Sequence, residues 1–269
     1  DVSGAALPGN AHLYHGDLKA LGGYTPLMPR RLVHAIKMTQ QGFSWQDEDF
    51  FSNPSPLELF GVSHVIVDLS KLTTEGRKAY EQSVEKFYQP VAEAESEDLV
   101  LLEVLHSPGR FDLAPSWIAI DEEWQAEQEI WKPIPPHLDE RPVMLEDPRR
   151  RYLPPEGEPI PDGTVEILKT TSTYQKLRVS VPERSILLIR DTHWEGWEFR
   201  IGKNDDWHDV RRAMSVIRYV RVPAGEHLVE MRYRAPGFDT GLTISLIALA
   251  GMGGLIGVEY RRRRRRKKE

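Results

Sequence analysis

GLTISLIALAGMGGLIGV, residues Gly241 to Val258, runs for eighteen residues without a charge. In a helix such a run rises about 27 Å, close to the hydrocarbon thickness of a bilayer. Asp239 stands just before it and Glu259 just after. Eight cations follow: Arg261, Arg262, Arg263, Arg264, Arg265, Arg266, Lys267 and Lys268. Cytoplasmic flanks of membrane helices carry excess Lys and Arg, so the pattern predicts a transmembrane helix over 237–260. Residues 261–269 then form a basic cytoplasmic tail that orients it. A Gly-rich core helix with a solvated basic tail is the competing reading, but few core helices run this long without charge beside eight cations. Gly253 and Gly257 form a G-x-x-x-G, the spacing that lets helices pack closely in a membrane. The predicted neighbours are upstream membrane helices of the same parent protein, and the first partner is the lipid bilayer.

The charge balance supports this placement. Residues 261–269 carry eight positive charges and one negative, so a net −6 for the whole chain leaves −13 for the residues before them. An acidic outer part argues against a nucleic-acid partner. Cysteine is absent, which excludes disulfides, thiolate metal sites and thiol nucleophiles. The chain opens on Asp1 with loop-like residues, and we expect it to be the last part of a longer protein.

Upstream, the grammar predicts an α+β fold: a small α/β unit, then an antiparallel β-sandwich-like domain, ending in one transmembrane helix. Residues 1–106 form the α/β unit. Thr25-Pro26 starts a helix near 26–39, and Ser55-Pro56 starts a short one closed by Gly61. Residues 62–68 read as a buried strand, 74–89 as a helix with Tyr80, Val84, Phe87 and Tyr88 on one face, and 99–105 as another strand. Residues 107–163 are rich in proline and acid and read as a linker carrying short strands at Trp117–Ile120 and Val143–Glu146. Residues 164–236 form the sandwich, with strands at 165–169, 176–181, 185–190 and 197–201. Its clearest hairpin joins Val216–Val222 to Leu228–Arg234 through Pro223-Ala224-Gly225-Glu226. Val229, Met231 and Tyr233 form its inner row.

Three stretches invite chemistry. His12, His15 and Asp17 lack a third strong ligand at metal spacing. Asp205, Asp206 and Asp209 lack the bidentate Glu of an EF-hand loop and read as a polar hairpin tip. Trp194, Trp197 and Trp207, with Tyr174, are the candidates for stacking a glycan, the alternative being core aromatics. No phosphate loop, nucleophile elbow or zincin motif occurs, and no catalytic dyad can be assigned.

Several segments, in order, resemble the C-terminal part of the YfhO-type bacterial membrane proteins, multispanning relatives of the GT-C glycosyltransferases. They are GGYTPL at 22–27, LFGVSHVI at 59–66, ERPVMLE at 140–146, LLIRDTHWEGW at 187–197, VPAGEH at 222–227 and EMRYRAP at 230–236. GLTIS at 241–245 then opens the last membrane helix. Two positions depart from the family pattern. Glu195 stands where the family has Pro before Gly-Trp, and Ser116 stands for an Arg after Asp112-Leu113-Ala114-Pro115. The family's catalytic acids lie on an outer loop between early membrane helices, which these segments do not match, so no catalytic residue carries over. The resemblance implies an extracytoplasmic cap and last helix in a bacterial cytoplasmic membrane. No cofactor is expected in this chain, while the parent would use a polyprenyl-phosphate sugar donor and glycosylate cell-surface polymer. Two other classes remain: a single-pass anchored carbohydrate-binding module, and a structural or assembly subunit of a membrane complex.

Overall fold

The computed structural model describes residues 30–35, 38–39, 42–43, 47–93, 98–132, 141–146 and 152–266. The fold is α+β and ends in a single long apolar helix, in three stacked layers. The first layer is the α/β unit. It holds α1 (Arg30–Ala35), the two-residue strands β1 (Met38–Thr39) and β2 (Gly42–Phe43), α2 (Asp47–Ser52) and α3 (Ser55–Leu59). After these come β3 (His64–Asp68), α4 (Thr74–Ser83), β4 (Tyr88–Glu93) and β5 (Leu99–Val104). Its three-stranded sheet has the order β3-β5-β4, antiparallel throughout.

The second layer is a six-stranded sheet, in the order β6-β11-β15-β14-β8-β7. These strands are β6 (Phe111–Leu113), β7 (Trp117–Ile120), β8 (Val143–Glu146), β11 (Ser185–Thr192), β14 (Arg211–Ala213) and β15 (Ile217–Val222). Among the described strands of this sheet only β7 and β8 pair in parallel, joined across α5 (Glu123–Ile130). The third layer is a five-stranded antiparallel sheet in the order β13-β12-β16-β10-β9. It comprises β9 (Thr164–Thr170), β10 (Tyr174–Val181), β12 (Trp197–Ile201), β13 (His208–Asp209) and β16 (Gly225–Tyr233). α6 (Phe238–Arg266) follows.

The middle sheet is buried on both faces, and β11 shows how. Ser185 to Ile189 is an unbroken buried run. Successive side chains on a strand point to opposite faces. Ile186 and Leu188 therefore join the core under the α/β unit, while Leu187 and Ile189 join the sandwich core against Leu177, Val229 and Met231. β15 repeats this, with Ile217 and Tyr219 on one side and Val220 and Val222 on the other. The inner row Val229, Met231 and Tyr233 is placed as expected.

Three expectations are revised. The helix predicted over 74–89 ends at Ser83. Its start is capped by Thr73, whose Oγ1 accepts from Gly76 N at 3.0 Å. Glu85 then takes a φ of +73°, a left-handed turn, and Tyr88 opens β4. That strand was hidden by Pro90, which cannot donate to a sheet ladder. The chain accommodates it on an edge strand at a register shift between Pro90 and Ala92.

The second revision concerns the hairpin over Val216–Arg234. β15 pairs with β11 and β14, whereas β16 pairs with β10 and β12. The turn, with Gly225 at φ +111°, carries the chain from one sheet to the other, so the two strands face each other across the core. Two rows of apolar residues suit either arrangement. Third, residues 107–163, expected as a linker, supply β6, β7 and β8 to the middle sheet, with the strands at Trp117–Ile120 and Val143–Glu146 where expected. Trp117 is fully buried there and its indole N–H donates to the Pro154 carbonyl at 3.0 Å. The helix near 26–39 is described only as Arg30–Ala35, and the HLYHGD stretch and residues 22–27 lie outside the described residues.

Candidate functional site

The three tryptophans do not share a surface. Trp197 is only 7% exposed, inside the sandwich core, with the Arg218 guanidinium 4.0 Å from its ring centroid. Trp207 lies on the outer face of the five-stranded sheet, where Arg232 and Arg200 approach its ring at 4.0 and 4.7 Å. Those arginines belong to a charge ladder: Arg200 pairs with Glu230 at 2.5 Å, Arg232 with Glu198 at 2.8 Å and Lys176 with Glu230 at 3.0 Å. Trp194 alone is broadly exposed, at 46%. Tyr174 is half-buried at the start of β10.

The motif at 187–197 is built around Asp191. Its carboxylate accepts from Arg110 Nε at 2.7 Å and Nη2 at 2.5 Å, from Gln175 Nε2 at 3.0 Å, and from Arg218 Nη2. Burial opposes its charge, but these hydrogen bonds and cations hold its pKa below the usual carboxylate value. Arg218 is 1% exposed, and burial brings its pKa down to about 10. Gly196 sits at φ +96°, and a Cβ there would overlap the Arg234 carbonyl oxygen. Arg234 N in turn donates to Gly196 O at 2.8 Å. The Asp-x-x-x-x-Gly-Trp pattern is thus a structural knot joining β11, β12 and β16.

His193 is neutral near pH 7. Burial, then the neighbouring Arg212, push its pKa down to about 4. At the β12–β13 tip, Asp205 accepts from Ile201 N and His208, as a polar turn does. No group of three or more potential metal ligands occurs among the described residues.

Among the described elements, helix α6 stands apart. The segment Phe238–Gly257 has a mean hydropathy of 1.7 and none of it is buried against the rest of the chain. A Cβ added at Gly253 or Gly257 would touch nothing within 4 Å. The helix leaves the sandwich beside the Gly196–Arg234 contact, so Trp194 and Phe238, 61% exposed, share the end of the domain where α6 begins. The side chains of the basic tail lie outside the described residues.

A concavity of about 470 Å³ lies elsewhere, between α3 and the middle sheet. Arg190 reaches into it from β11, Arg141 from just before β8, and Glu58 from α3. Arg190 Nη1 donates to the carbonyls of Glu58 and Leu59, both at 3.3 Å, and Nη2 to Asp112 Oδ2 at 3.3 Å. Arg141 Nε stands 3.7 Å from Glu129 Oε1. Glu58 is 4% exposed. Burial raises its pKa to about 7, against the opposing pull of Arg141 and Arg190.

Sequence reasoning missed this cluster because its members are 132 residues apart in the chain. The one local signal was Glu58, a lone charge between Leu57 and Leu59 on a helix buried on all sides. In the unfolded chain Glu58 ionises near 4.5, whereas in the fold it holds its proton to about 7. The fold binds the extra proton across that window, so this contribution is full below pH 4.5 and lost as pH rises to 7. Glu58→Gln is therefore expected to melt higher than the parent at pH 8 and close to it at pH 5. Equal gaps at both pH values would show that the carboxyl stays ionised.

No family model, curated protein or solved structure matches the chain.

Proposed function

We propose that the chain is the membrane-anchored, extracytoplasmic C-terminal part of a multispanning bacterial membrane protein. In this reading the parent is a lipid-linked-sugar-dependent glycosyltransferase, and the three-layer domain caps its site or orients the polymer it modifies. The observation that carries the anchor is α6, a helix long and apolar enough to cross a bilayer with no burial against its own chain. Water-exposed apolar helices of this length are strongly unfavourable, and a bilayer is the environment that removes that cost. The basic residues after it favour an inward tail, held against anionic lipid. The ordered resemblance over 187–245 supports the wider assignment.

A cap of this kind excludes water from a reaction at the membrane surface and holds the acceptor in line. In native membranes, deleting residues 1–236 from the parent is expected to abolish sugar transfer from the polyprenyl-phosphate donor to polymer. Unchanged transfer would remove the capping role.

The same reading places Trp194 at the lipid–water boundary, where amphipathic aromatic rings are favoured, with the apolar Phe238 beside it. Lipids brominated near the headgroup are expected to quench the chain's fluorescence, and Trp194→Phe to remove most of that quenching. Trp124→Phe, at an exposed position of α5, is expected to leave it unchanged. The opposite pattern would turn the domain over.

A further inference from the structure

We propose that the cavity between α3 and the six-stranded sheet binds a small organic anion, a phosphate or carboxylate carried on a partly apolar body. The inference is independent of the membrane reading. Its volume of about 470 Å³ falls in the range of small-molecule sites. Two arginines line it, and each keeps a buried N–H with no protein partner among the described residues: Nη2 of Arg141 and Nε of Arg190. Leaving such groups unpaired is costly, and a guanidinium edge matches the oxygens of a carboxylate or phosphate. Their protein partners are long rather than tight, at 3.3 Å for Asp112 and 3.7 Å for Glu129, so both cations are incompletely neutralised. An anion between them gains charge-assisted hydrogen bonds that the fold does not supply.

The remaining wall explains the body of the ligand. Leu59, Ile130, Ile160, Leu188 and Met214 give the cavity an apolar side. Glu58 sets the pH behaviour. Below pH 7 it is neutral, does not repel an anion, and has an O–H to donate. The charged and titratable groups around it are Arg141 and Arg190, with Asp112 and Glu129 behind them. Tyr88 feels its charge, and His106 and Asp162 lie on the cavity wall.

The test uses the full chain in detergent micelles, with thermal unfolding followed in sulfate, acetate or benzoate against chloride at matched ionic strength. Sulfate and both carboxylates keep constant charge between pH 6 and 8, which isolates the protein's own titration. We expect saturable stabilisation, stronger at pH 6 than at pH 8. Arg141→Gln is expected to weaken it about tenfold. Glu58→Gln is expected to flatten the pH dependence while keeping the binding, which separates Glu58 from His106. A stronger response to sulfate than to acetate assigns a phosphate, and benzoate above acetate assigns a carboxylate on an apolar body. Sulfate also stabilises proteins by exclusion from their surface. Equal stabilisation of the parent and Arg141→Gln is that general effect and overturns the site, as does no stabilisation beyond chloride. Should Arg141→Gln fail to fold, saturation in the parent decides, and stabilisation that rises linearly with sulfate, as surface exclusion gives, overturns the proposal.

Discussion

Asp191→Ala is expected to destabilise the folded chain by about 3–5 kcal/mol, the cost typical of removing one partner from a buried ion pair. Asp191 joins two arginines distant in the chain, Arg110 just before β6 and Arg218 on β15, and it also accepts from Gln175 on β10. Arg218 is 1% exposed, and its Nε and Nη1 have no hydrogen-bond partner among the described residues. Without Asp191 the buried guanidinium keeps only the Trp197 ring, at 4.0 Å, to offset its desolvation. Because Trp197 reports on this site, urea unfolding followed by tryptophan emission measures the effect directly. A loss under about 1 kcal/mol, the scale of a surface pair, would mean that water reaches Arg218. The linkage has a definite sign. The folded-state pKa of Asp191 lies below its ordinary value, so its contribution is present above that ordinary value and is lost as pH falls through the folded one.

The second large effect is expected in α6. Ile247→Arg with Leu249→Arg places two cations near the middle of Phe238–Gly257. Each costs about 2.5–3.5 kcal/mol on scales of membrane insertion, enough together to abolish a single span. The double variant is expected to leave the membrane fraction at alkaline pH while the sandwich stays folded, because α6 makes no buried contact with it. Retention of the variant in the membrane would mean that the domain, and not the helix, holds the chain there.

How much of this was legible depends on the range of the cause. Strand positions at β3, β5, β7, β8 and β12 follow from local alternation and β-branched runs, and they fall within two residues of expectation. The left-handed Gly61 that closes α3 is local too, but the start of that helix is not, since Ser55 is already helical behind Pro54 and donates to the Lys132 carbonyl instead of capping. Pairing is not local. Val220, Val222, Val229 and Met231 show an inner row on each side of a turn, and that pattern is the same for a hairpin and for a crossing between sheets. Nor does composition reveal that a proline-rich stretch closes a sheet, because β6 finds its partner in β11 and β8 in β14, far away in sequence, and β7 then pairs on β8.

The site residues divide in the same way. Trp194 and Trp197 are three residues apart in one motif, yet one is exposed and the other lies in the core under Arg218. Alternation along β12 buries Trp197 and Phe199 together, which the sequence pattern already contained. What it did not contain was the charge ladder that occupies Trp207, or the gathering of Glu58, Arg141 and Arg190 around one cavity. Each depends on strand order in a sheet of distant segments.

The central claim is that α6 crosses a bilayer with the layered domain outside and the basic tail inside. The chain has no cysteine, so single introduced thiols report position without background. In intact protoplasts, a membrane-impermeant maleimide is predicted to label Glu183→Cys, on the exposed arch between β10 and β11, and to label Lys268→Cys only after the membrane is opened. Labelling of Lys268→Cys in intact protoplasts, or protection of Glu183→Cys, would contradict it.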